Sequence, residues 1–250
     1  MEYCGDVTLE RIFKSAPQNQ IENYYINAID LLLALQLSPV NSSCIVSTRA
    51  FDRQKFLFEH EFHFCLQLIT NYYNHTLAAS EKMIFDVLAK TLVDELSRQP
   101  FVFVHRDFQS SNLLVNNQEE LIVIDFQDAR MGTAMYDLVS LVEDVYVLLQ
   151  PELKRKIIEY YRVSAQQKSL SIPIHEFSWI YDLAVIQRKL HDAGAFVYCF
   201  ENFGNNKYML YIEPVVQQAL EVMSKYPIFA RPYELLTMLS HASAAKKQNR

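Results

Sequence analysis

FVFVHRDFQSSNLLVNNQEELIVIDF, the stretch from Phe101 to Phe126, decides the fold of this chain. Its first four residues form a short apolar run, which predicts a β-strand at Phe101 to Val104. After a polar loop, two further apolar runs at Leu113 to Val115 and Leu121 to Asp125 predict a β-hairpin that turns at Asn116-Asn117. The stretch therefore predicts a small sheet around one polar loop.

Three side chains of this stretch have the spacing of a phosphoryl-transfer site. Asp107 and Asn112 form a D-x-x-x-x-N loop, and Asp125 closes the next apolar run. Asp107 is the candidate base or orienter of an acceptor hydroxyl. Asn112 and Asp125 are candidate oxygen ligands for Mg²⁺, which would hold the phosphates of ATP. His105 and Arg106 are predicted to brace the loop through hydrogen bonds.

A simpler interpretation is that these loop residues form turns and helix caps. A lone D-x-x-x-x-N pattern favours that interpretation. Here the pattern is joined to H-R-D, to flanking strands and to the I-D-F-Q-D run that ends at Asp128. This combination favours the functional interpretation.

The rest of the chain is predicted to be helical, so the fold class is α+β, mainly helical, with a small β-hairpin sheet. Helices are predicted near residues 9–13, 19–37, 48–73, 80–98, 137–149, 151–163, 176–202, 207–223 and 231–239. Pro214 is predicted to kink or restart its helix. No linker or repeat interrupts the sequence, which predicts one compact lobe over residues 1–243 and a disordered polar tail over residues 244–250.

Composition excludes several classes of protein. Half of the 250 residues are apolar, which predicts a globular fold, and a net charge of -6 gives no support to nucleic-acid binding.

The longest apolar stretch, Leu31 to Leu37, is too short to span a membrane. No signal peptide is recognised, and the four cysteines show no C-x-x-C pair, which predicts reduced thiols and a cytoplasmic location. The four glycines form no glycine-rich phosphate loop.

The runs VHRDFQSSNLLV and VIDFQDARMGTAMYDLVSL resemble the aminoglycoside phosphotransferase and choline kinase superfamily, whose members share the protein-kinase-like fold. Three further segments, at residues 5–9, 51–64 and 186–198, are similar to bacterial anomeric kinases of N-acetylmuramate and N-acetylglucosamine. The resemblance implies an ATP- and Mg²⁺-dependent kinase of a small molecule, with a sugar hydroxyl as the acceptor.

By this resemblance Asp107 is the catalytic base, and Asn112 and Asp125 bind magnesium. Asp128 is similar to the second acidic residue of the metal loop of the family. Asp137 is similar to the aspartate that begins a helix and anchors the catalytic loop from behind, although a helix N-cap would explain it as well.

Other residues in the matching segments have two open interpretations. Asp52 and Arg53, and likewise Arg188 with His191, are candidates for a sugar pocket and equally for surface ion pairs. His60 and His63 lie three residues apart without the H-E-x-x-H pattern, which predicts a half-exposed helix face rather than a metal site.

In the family, an N-terminal lobe that grips ATP precedes the catalytic lobe. The resemblance implies that this chain matches the C-terminal lobe alone and starts near the hinge, with Glu2 and Cys4 as candidate hinge residues. A separately encoded N-terminal lobe is then the expected partner, besides the sugar. The alternative is a truncated kinase-like module that binds without catalysis.

Overall fold

The computed structural model describes residue 5, residues 7–170 and residues 176–248, with side chains to residue 243. The α-helices are Leu9–Phe13 (α1), Gln18–Leu37 (α2), Arg53–Glu59 (α3), Ala79–Ser97 (α4), Met135–Val142 (α5), Pro151–Gln167 (α6), Phe177–Phe203 (α7), Ile212–Met223 (α8) and Ala230–Gln248 (α9). The strands are Val7–Thr8 (β1), Phe101–Val104 (β2), Leu113–Val115 (β3), Leu121–Val123 (β4) and Arg130–Thr133 (β5). The mainly helical α+β class is confirmed. No helix in this part of the chain combines the length and apolarity that a membrane span requires.

Contacts group the chain into two compact units, each assembled from two separate segments. The first unit comprises Met1–Phe51 and Gln99–Tyr181, and the second comprises Asp52–Arg98 and Asp182–Arg250. The sequence had predicted one compact lobe without a boundary. The chain passes between the units at the start of α3, at the end of α4 and within α7. Because the chain crosses between the units at helix ends or within a helix, no flexible linker is needed there. The amino-acid composition therefore gives no sign of the boundaries between the units.

The strands of the first unit form two small antiparallel sheets within the described residues, where the sequence had predicted one. One sheet has the order β1-β3-β4, and the other pairs β2 with β5. The predicted hairpin is confirmed, with Leu113 opposite Val123. Strand β4 ends before Asp125, whose φ of 70° turns the chain away from the ladder.

Strand β5 was not predicted, and a glycine makes its packing possible. A Cβ atom on Gly132 would lie 2.9 Å from Cβ of Phe51. Such a distance is shorter than a van der Waals contact, so a larger residue would displace Phe51. The main chain around Phe51 also pairs with β5, because Phe51 N donates to Met131 O at 2.7 Å.

Helix α2 supports the first unit through a buried polar contact as well as through apolar residues. Tyr25, Ile29 and Leu33 are buried along one side of α2. Near the end of the helix, Gln36 Nε2 donates to Ala134 O at 2.9 Å, and Tyr161 OH donates to Gln36 Oε1 at 2.7 Å. These bonds fix the residue that precedes helix α5.

Helix α5 is shorter than the predicted helix over residues 137–149. It ends at Val142, and the chain then runs without helix to Gln150. Asp144 lies at this exit and accepts the backbone N–H of Tyr146 at 2.9 Å. A short aspartate side chain that bonds a nearby backbone N–H offers the chain an alternative to helical hydrogen bonds.

The second unit contains a π-helix, His60–Tyr72, that continues directly from α3. The sequence had predicted helix over most of this segment but not its widened turns. Phe64 of the π-helix packs edge to face on Phe85 of α4, with ring centroids 4.8 Å apart. Helix α7 meets the π-helix so closely that a Cβ atom on Gly194 would lie 1.9 Å from His63 O.

Several helix ends differ from prediction. Helix α4 begins at Ala79, one residue before the predicted start, and the carboxylate of Glu81 accepts the N–H of its N-cap residue Ala78 at 2.9 Å. Pro214 lies in the first turn of α8, which confirms the predicted restart. The backbone of α9 is helical to Gln248, so the tail predicted to be disordered from residue 244 is helical over most of its length. Alanine, the best helix former, occupies two of these positions, 244 and 245.

Candidate active site

A buried carboxylate holds the loop that follows β2. Asp137 lies in the first turn of α5 and is 1% exposed. Its Oδ2 accepts the backbone N–H of His105 at 2.6 Å, and its Oδ1 accepts that of Arg106 at 2.9 Å. Hydrogen bonds to a buried charged acceptor are stronger than those between neutral groups. Asp137 therefore fixes the backbone immediately before Asp107.

His105 and Arg106 shape the loop from within. Arg106 has a φ of 79°, a left-handed conformation that costs a non-glycine residue about 1 kcal/mol. Its guanidinium lies 5.4 Å from the ring centroid of Phe51. His105 is buried, and burial lowers its pKa, although the nearby carboxylates of Asp107 and Asp125 oppose the shift. A neutral His105 can accept the N–H of Asp107, which lies 3.3 Å from its Nδ1.

Asn112 closes the loop onto Asp107. Its amide Nδ2 donates to the backbone oxygen of Asp107 at 2.9 Å. The same oxygen accepts the N–H of Gln109 at 2.9 Å. Because the amide nitrogen faces the loop backbone, the Oδ1 of Asn112 faces the other way, where it can serve as a metal ligand.

Asp125 is brought to the same place by the hairpin. Ile124 N donates to Asn112 O at 3.1 Å, which extends the β3–β4 pairing by one residue. Asp125 follows directly, and its positive φ redirects the side chain at the end of the ladder. The carboxylate is exposed, and its Oδ1 accepts Gln127 Nε2 at 2.6 Å. The structure thus brings Asp107, Asn112 and Asp125 to one end of the hairpin.

The loop after Asp125 also carries Asp128. Asp128 is exposed, and its backbone oxygen accepts Arg130 Nε at 3.3 Å. Arg49 Nη1 donates to Gln127 O at 3.1 Å, so the main chain of this loop is tied to the segment that pairs with β5. These contacts hold the backbone of the loop and leave the Asp128 side chain at the surface.

The donor set suits magnesium better than zinc or another soft metal. No group of three or more His, Cys, Asp and Glu side chains within the described ranges is placed to hold a metal ion. The site offers instead one amide oxygen and exposed carboxylate oxygens. Mg²⁺ takes such hard ligands in small number and completes its shell with water and substrate phosphate.

One residue that supports the loop was missed in the sequence. Asp144, which is 6% exposed, accepts the N–H of Ser110 at 2.8 Å and the Ser110 hydroxyl at 2.5 Å, both on Oδ2. Ser110 begins the short turn that carries Asn112. The only available signal was the charged pair Glu143-Asp144 within a largely apolar run, which does not reveal a partner 34 residues away.

The candidate substrate residues belong to the second unit rather than to this loop. Asp52 caps α3 by accepting the N–H of Lys55 at 3.0 Å. Arg53 forms an exposed ion pair with Asp94, whereas Arg188 is 6% exposed and its Nε lies 3.0 Å from Asp192 Oδ1. The surface ion-pair interpretation therefore fits Arg53 and is wrong for Arg188, whose pair is buried. The candidate hinge residues Glu2 and Cys4 lie outside the described residues.

One of the two candidate histidines of the π-helix also differs from prediction. His60 was expected on a half-exposed face, but it is 8% exposed. Burial lowers its pKa to about 4, and its Nε2 lies 3.4 Å from Cys65 Sγ. His63 packs edge to face on His191, with ring centroids 4.4 Å apart. His60 therefore belongs to the interior of the second unit, whereas His63 is half-buried, as predicted.

Two curated relatives are similar to this chain. The N-acetylmuramate/N-acetylglucosamine kinase of Neisseria meningitidis serogroup B is 32% identical over 165 residues, which cover 65% of this chain and 49% of that protein. The kinase of the same name from Pseudomonas putida is 26% identical over 246 residues, which cover 96% of this chain and 70% of that protein. The chain thus spans about half the length of the first relative and 70% of the second.

Solved structures show the fold, and a family profile shows the family. The crystal structure of the ADP-bound aminoglycoside phosphotransferase APH(2'')-Ib superposes with a TM-score of 0.57 at 16% identity and covers 89% of this chain and 71% of that one. Choline kinases are also among the structural neighbours. The profile described as "Phosphotransferase enzyme family" (APH) matches residues 1–169. This chain therefore belongs to the APH phosphotransferase enzyme family.

Proposed function

We propose that this chain carries the catalytic loop of an ATP- and Mg²⁺-dependent kinase that phosphorylates a hydroxyl of an amino sugar of the N-acetylmuramate or N-acetylglucosamine type. The observation that carries the proposal is the anchoring of the H-R-D loop. Asp137 accepts two consecutive backbone N–H groups before Asp107, and Asn112 bonds the backbone of Asp107 itself. The amino-sugar acceptor follows from the names of the two curated relatives.

Each residue of the loop has a role in this proposal. Asp107, half-buried at the loop, orients the acceptor hydroxyl and receives its proton. Asn112 Oδ1 and the Asp125 carboxylate would hold Mg²⁺, with Asp128 as a further candidate ligand. Bound there, Mg²⁺ would neutralise charge on the phosphates of ATP. His105, Arg106 and Asp137 position the loop and take no part in the transfer.

The proposal assigns residues 1–243 to one catalytic lobe with a small-molecule sugar as its substrate. The chain spans 49% and 70% of the length of its two relatives, so the activity of those whole proteins is a proposal for this chain. Two alternatives are a separately encoded N-terminal lobe that supplies the rest of the nucleotide site, and a binding module without catalysis. A neighbouring reading frame that encodes a glycine-rich loop and a lysine-bearing strand would support a split kinase.

Calorimetric titration with ATP tests the nucleotide part of the proposal. The chain is expected to bind ATP in the presence of Mg²⁺ and to lose that binding in EDTA. Asp125→Ala should abolish this Mg²⁺-dependent binding of ATP. Replacing Glu152, an exposed acidic residue on α6 of the same unit, by alanine should leave the binding unchanged. Absence of ATP binding under all these conditions, with no partner lobe found, would leave only the binding module.

A further inference from the structure

Helix α5 has an aspartate near each end, and each aspartate holds one side of the loop that contains Asp107. Asp137, in the first turn, accepts the backbone N–H groups of residues 105 and 106. Asp144, two residues beyond the end of the helix, accepts the backbone N–H of Ser110 at 2.8 Å and its hydroxyl at 2.5 Å. All eight residues of α5 are buried, so the helix is a rigid support. The loop is therefore anchored on both sides of Asp107.

The two anchors act on different parts of the candidate site. The hydrogen bonds to Asp137 lie directly before Asp107, the candidate base. Ser110 instead begins the short turn that ends at Asn112, a candidate ligand of Mg²⁺. The backbone N–H of Asn112 donates to the carbonyl oxygen three residues earlier at 2.9 Å and closes this turn, so a shift of Ser110 would move Asn112 with it. Asp144 is thus placed to fix the metal side of the site.

Asp144 is itself held firmly in place. It is 6% exposed, and its second oxygen, Oδ1, accepts the backbone N–H of Tyr146 at 2.9 Å. Ser110 is fully buried, so its hydrogen bonds to Asp144 cannot readily be replaced by bonds to water. A simpler interpretation is that Asp144 satisfies these buried donors and has no influence on metal binding. The two interpretations differ in what a change of Asp144 does to the affinity for Mg²⁺.

We infer that Asp144 is a positioning residue for magnesium, which acts through Ser110 to fix the turn that presents Asn112 Oδ1 and so sets the affinity of the site for the metal. The inference rests on the proposed function, because that proposal makes Asn112 a metal ligand. Asn112 Nδ2 donates to Asp107 O at 2.9 Å, so the direction of its Oδ1 is set once the turn is fixed. Replacing a residue that orients a metal ligand from outside typically lowers metal affinity by about 10- to 100-fold.

The Mg²⁺ concentration that half-restores ATP binding tests the inference on the intact chain. Metal is first removed, and ATP binding is then followed by calorimetry as Mg²⁺ is added back. Asp144→Asn should raise this concentration by about tenfold or more. Ser110→Ala keeps the backbone hydrogen bond and loses that of the hydroxyl, so it should raise the concentration by about threefold. A loss of folding alone would lower the number of binding sites and leave the concentration unchanged.

Tyr25→Phe is the matched control. The Tyr25 hydroxyl on α2 is buried without a hydrogen-bond partner among the described residues. Burial raises the pKa of Tyr25, and the charge of Asp144 raises it further, so the hydroxyl lies in the field of the same carboxylate. The variant thus removes a buried oxygen that Asp144 influences but that does not bond the loop. The half-restoring Mg²⁺ concentration should stay that of the unaltered chain.

The side-chain amide of Asn112 gives a second measurement that needs no nucleotide. Its Nδ2 hydrogens are held by Asp107 O, and in Asp144→Asn they should exchange with solvent faster than in the unaltered chain, as followed by NMR. Exchange at the unaltered rate would overturn the positioning role of Asp144. If Asp144→Asn does not fold, both measurements are made on Ser110→Ala, and they decide in the same way.

Failure of the inference can be told apart from failure of the proposed function. Intact Mg²⁺-dependent ATP binding, with the same half-restoring concentration in Asp144→Asn and Ser110→Ala, overturns the inference and leaves the proposed kinase. Absence of ATP binding by the unaltered chain refutes the nucleotide part of the proposed function. The exchange of the Asn112 amide then decides alone whether Asp144 positions that side chain.

Discussion

Replacing Asp137 by alanine should release the loop that carries Asp107. The change removes the acceptor of two backbone N–H groups, those of His105 and Arg106, in a region where His105 is 1% exposed. Each buried donor left without a partner costs about 1–3 kcal/mol, which gives about 4 kcal/mol for the pair. Relaxation of the left-handed Arg106 returns about 1 kcal/mol. The expected loss of unfolding free energy is therefore about 3 kcal/mol.

The single tryptophan makes the assay specific. Trp179 lies in the first unit, so urea unfolding followed by tryptophan fluorescence reports on the unit that contains the loop. Asp137→Asn keeps one acceptor oxygen and should lose about half as much, roughly 1.5 kcal/mol. Asp86→Asn, a surface residue of the second unit, should change the transition by less than about 0.5 kcal/mol.

Hydrogen exchange localises the effect. The amides of His105 and Arg106 should lose protection in Asp137→Ala before the rest of the first unit does. A loss of stability below about 1 kcal/mol, with both amides still protected, would refute the reasoning that Asp137 holds the loop.

Two further predictions concern the second unit. Gly194→Ala should destabilise this unit by more than about 3 kcal/mol in urea unfolding followed by circular dichroism, because the new Cβ would lie 1.9 Å from His63 O. The control Gly204→Ala has open space but a φ of 64° and should cost about 1 kcal/mol. Similar costs for the two variants would contradict the close approach of α7 and the π-helix. In the folded chain burial lowers the pKa of His60 to about 4, whereas in the unfolded chain it is near 6.5. Between these values the unfolded chain binds more protons, so the free energy of unfolding should fall by about 2 kcal/mol from pH 7 to pH 5. In His60→Gln this part of the decline should disappear, and an identical pH profile for the variant would rule out His60 as its source.

Local sequence patterns were sufficient to predict the hairpin and most of the helices. Leu113 to Val115 and Leu121 to Val123 are short apolar runs with turn residues between them, and their pairing needs no distant partner. Asp107, Asn112 and Asp125 could be predicted as candidate site residues because they lie at short, fixed offsets before and after that hairpin. Their proximity in the structure follows from two hydrogen bonds, Asn112 Nδ2 to Asp107 O and Ile124 N to Asn112 O.

Features that depend on distant contacts were not found. Strand β5 contains arginine and glycine and shows no alternation, and it forms because β2 and the segment at Phe51 pair with it. Asp144 acts on Ser110 across 34 residues. The partner of Arg188 is only four residues away, but the burial of this pair depends on the packing around α7, which the sequence does not show. The π-helix keeps apolar residues at spacings that also fit an α-helix, so its widened turns leave no clear mark in the sequence.

Phosphoryl transfer itself is the most direct test of the central claim that Asp107 and its metal ligands form one kinase site. The measurement is the transfer of radiolabelled phosphate from ATP to N-acetylglucosamine by the chain in Mg²⁺, alongside Asp107→Ala and Glu152→Ala. We expect labelled product with the unaltered chain and with Glu152→Ala. Asp107→Ala should lower the rate of product formation by at least about 10²-fold while Mg²⁺-dependent ATP binding persists. Product formation by Asp107→Ala at the unaltered rate would contradict the account, and so would the absence of product from the unaltered chain.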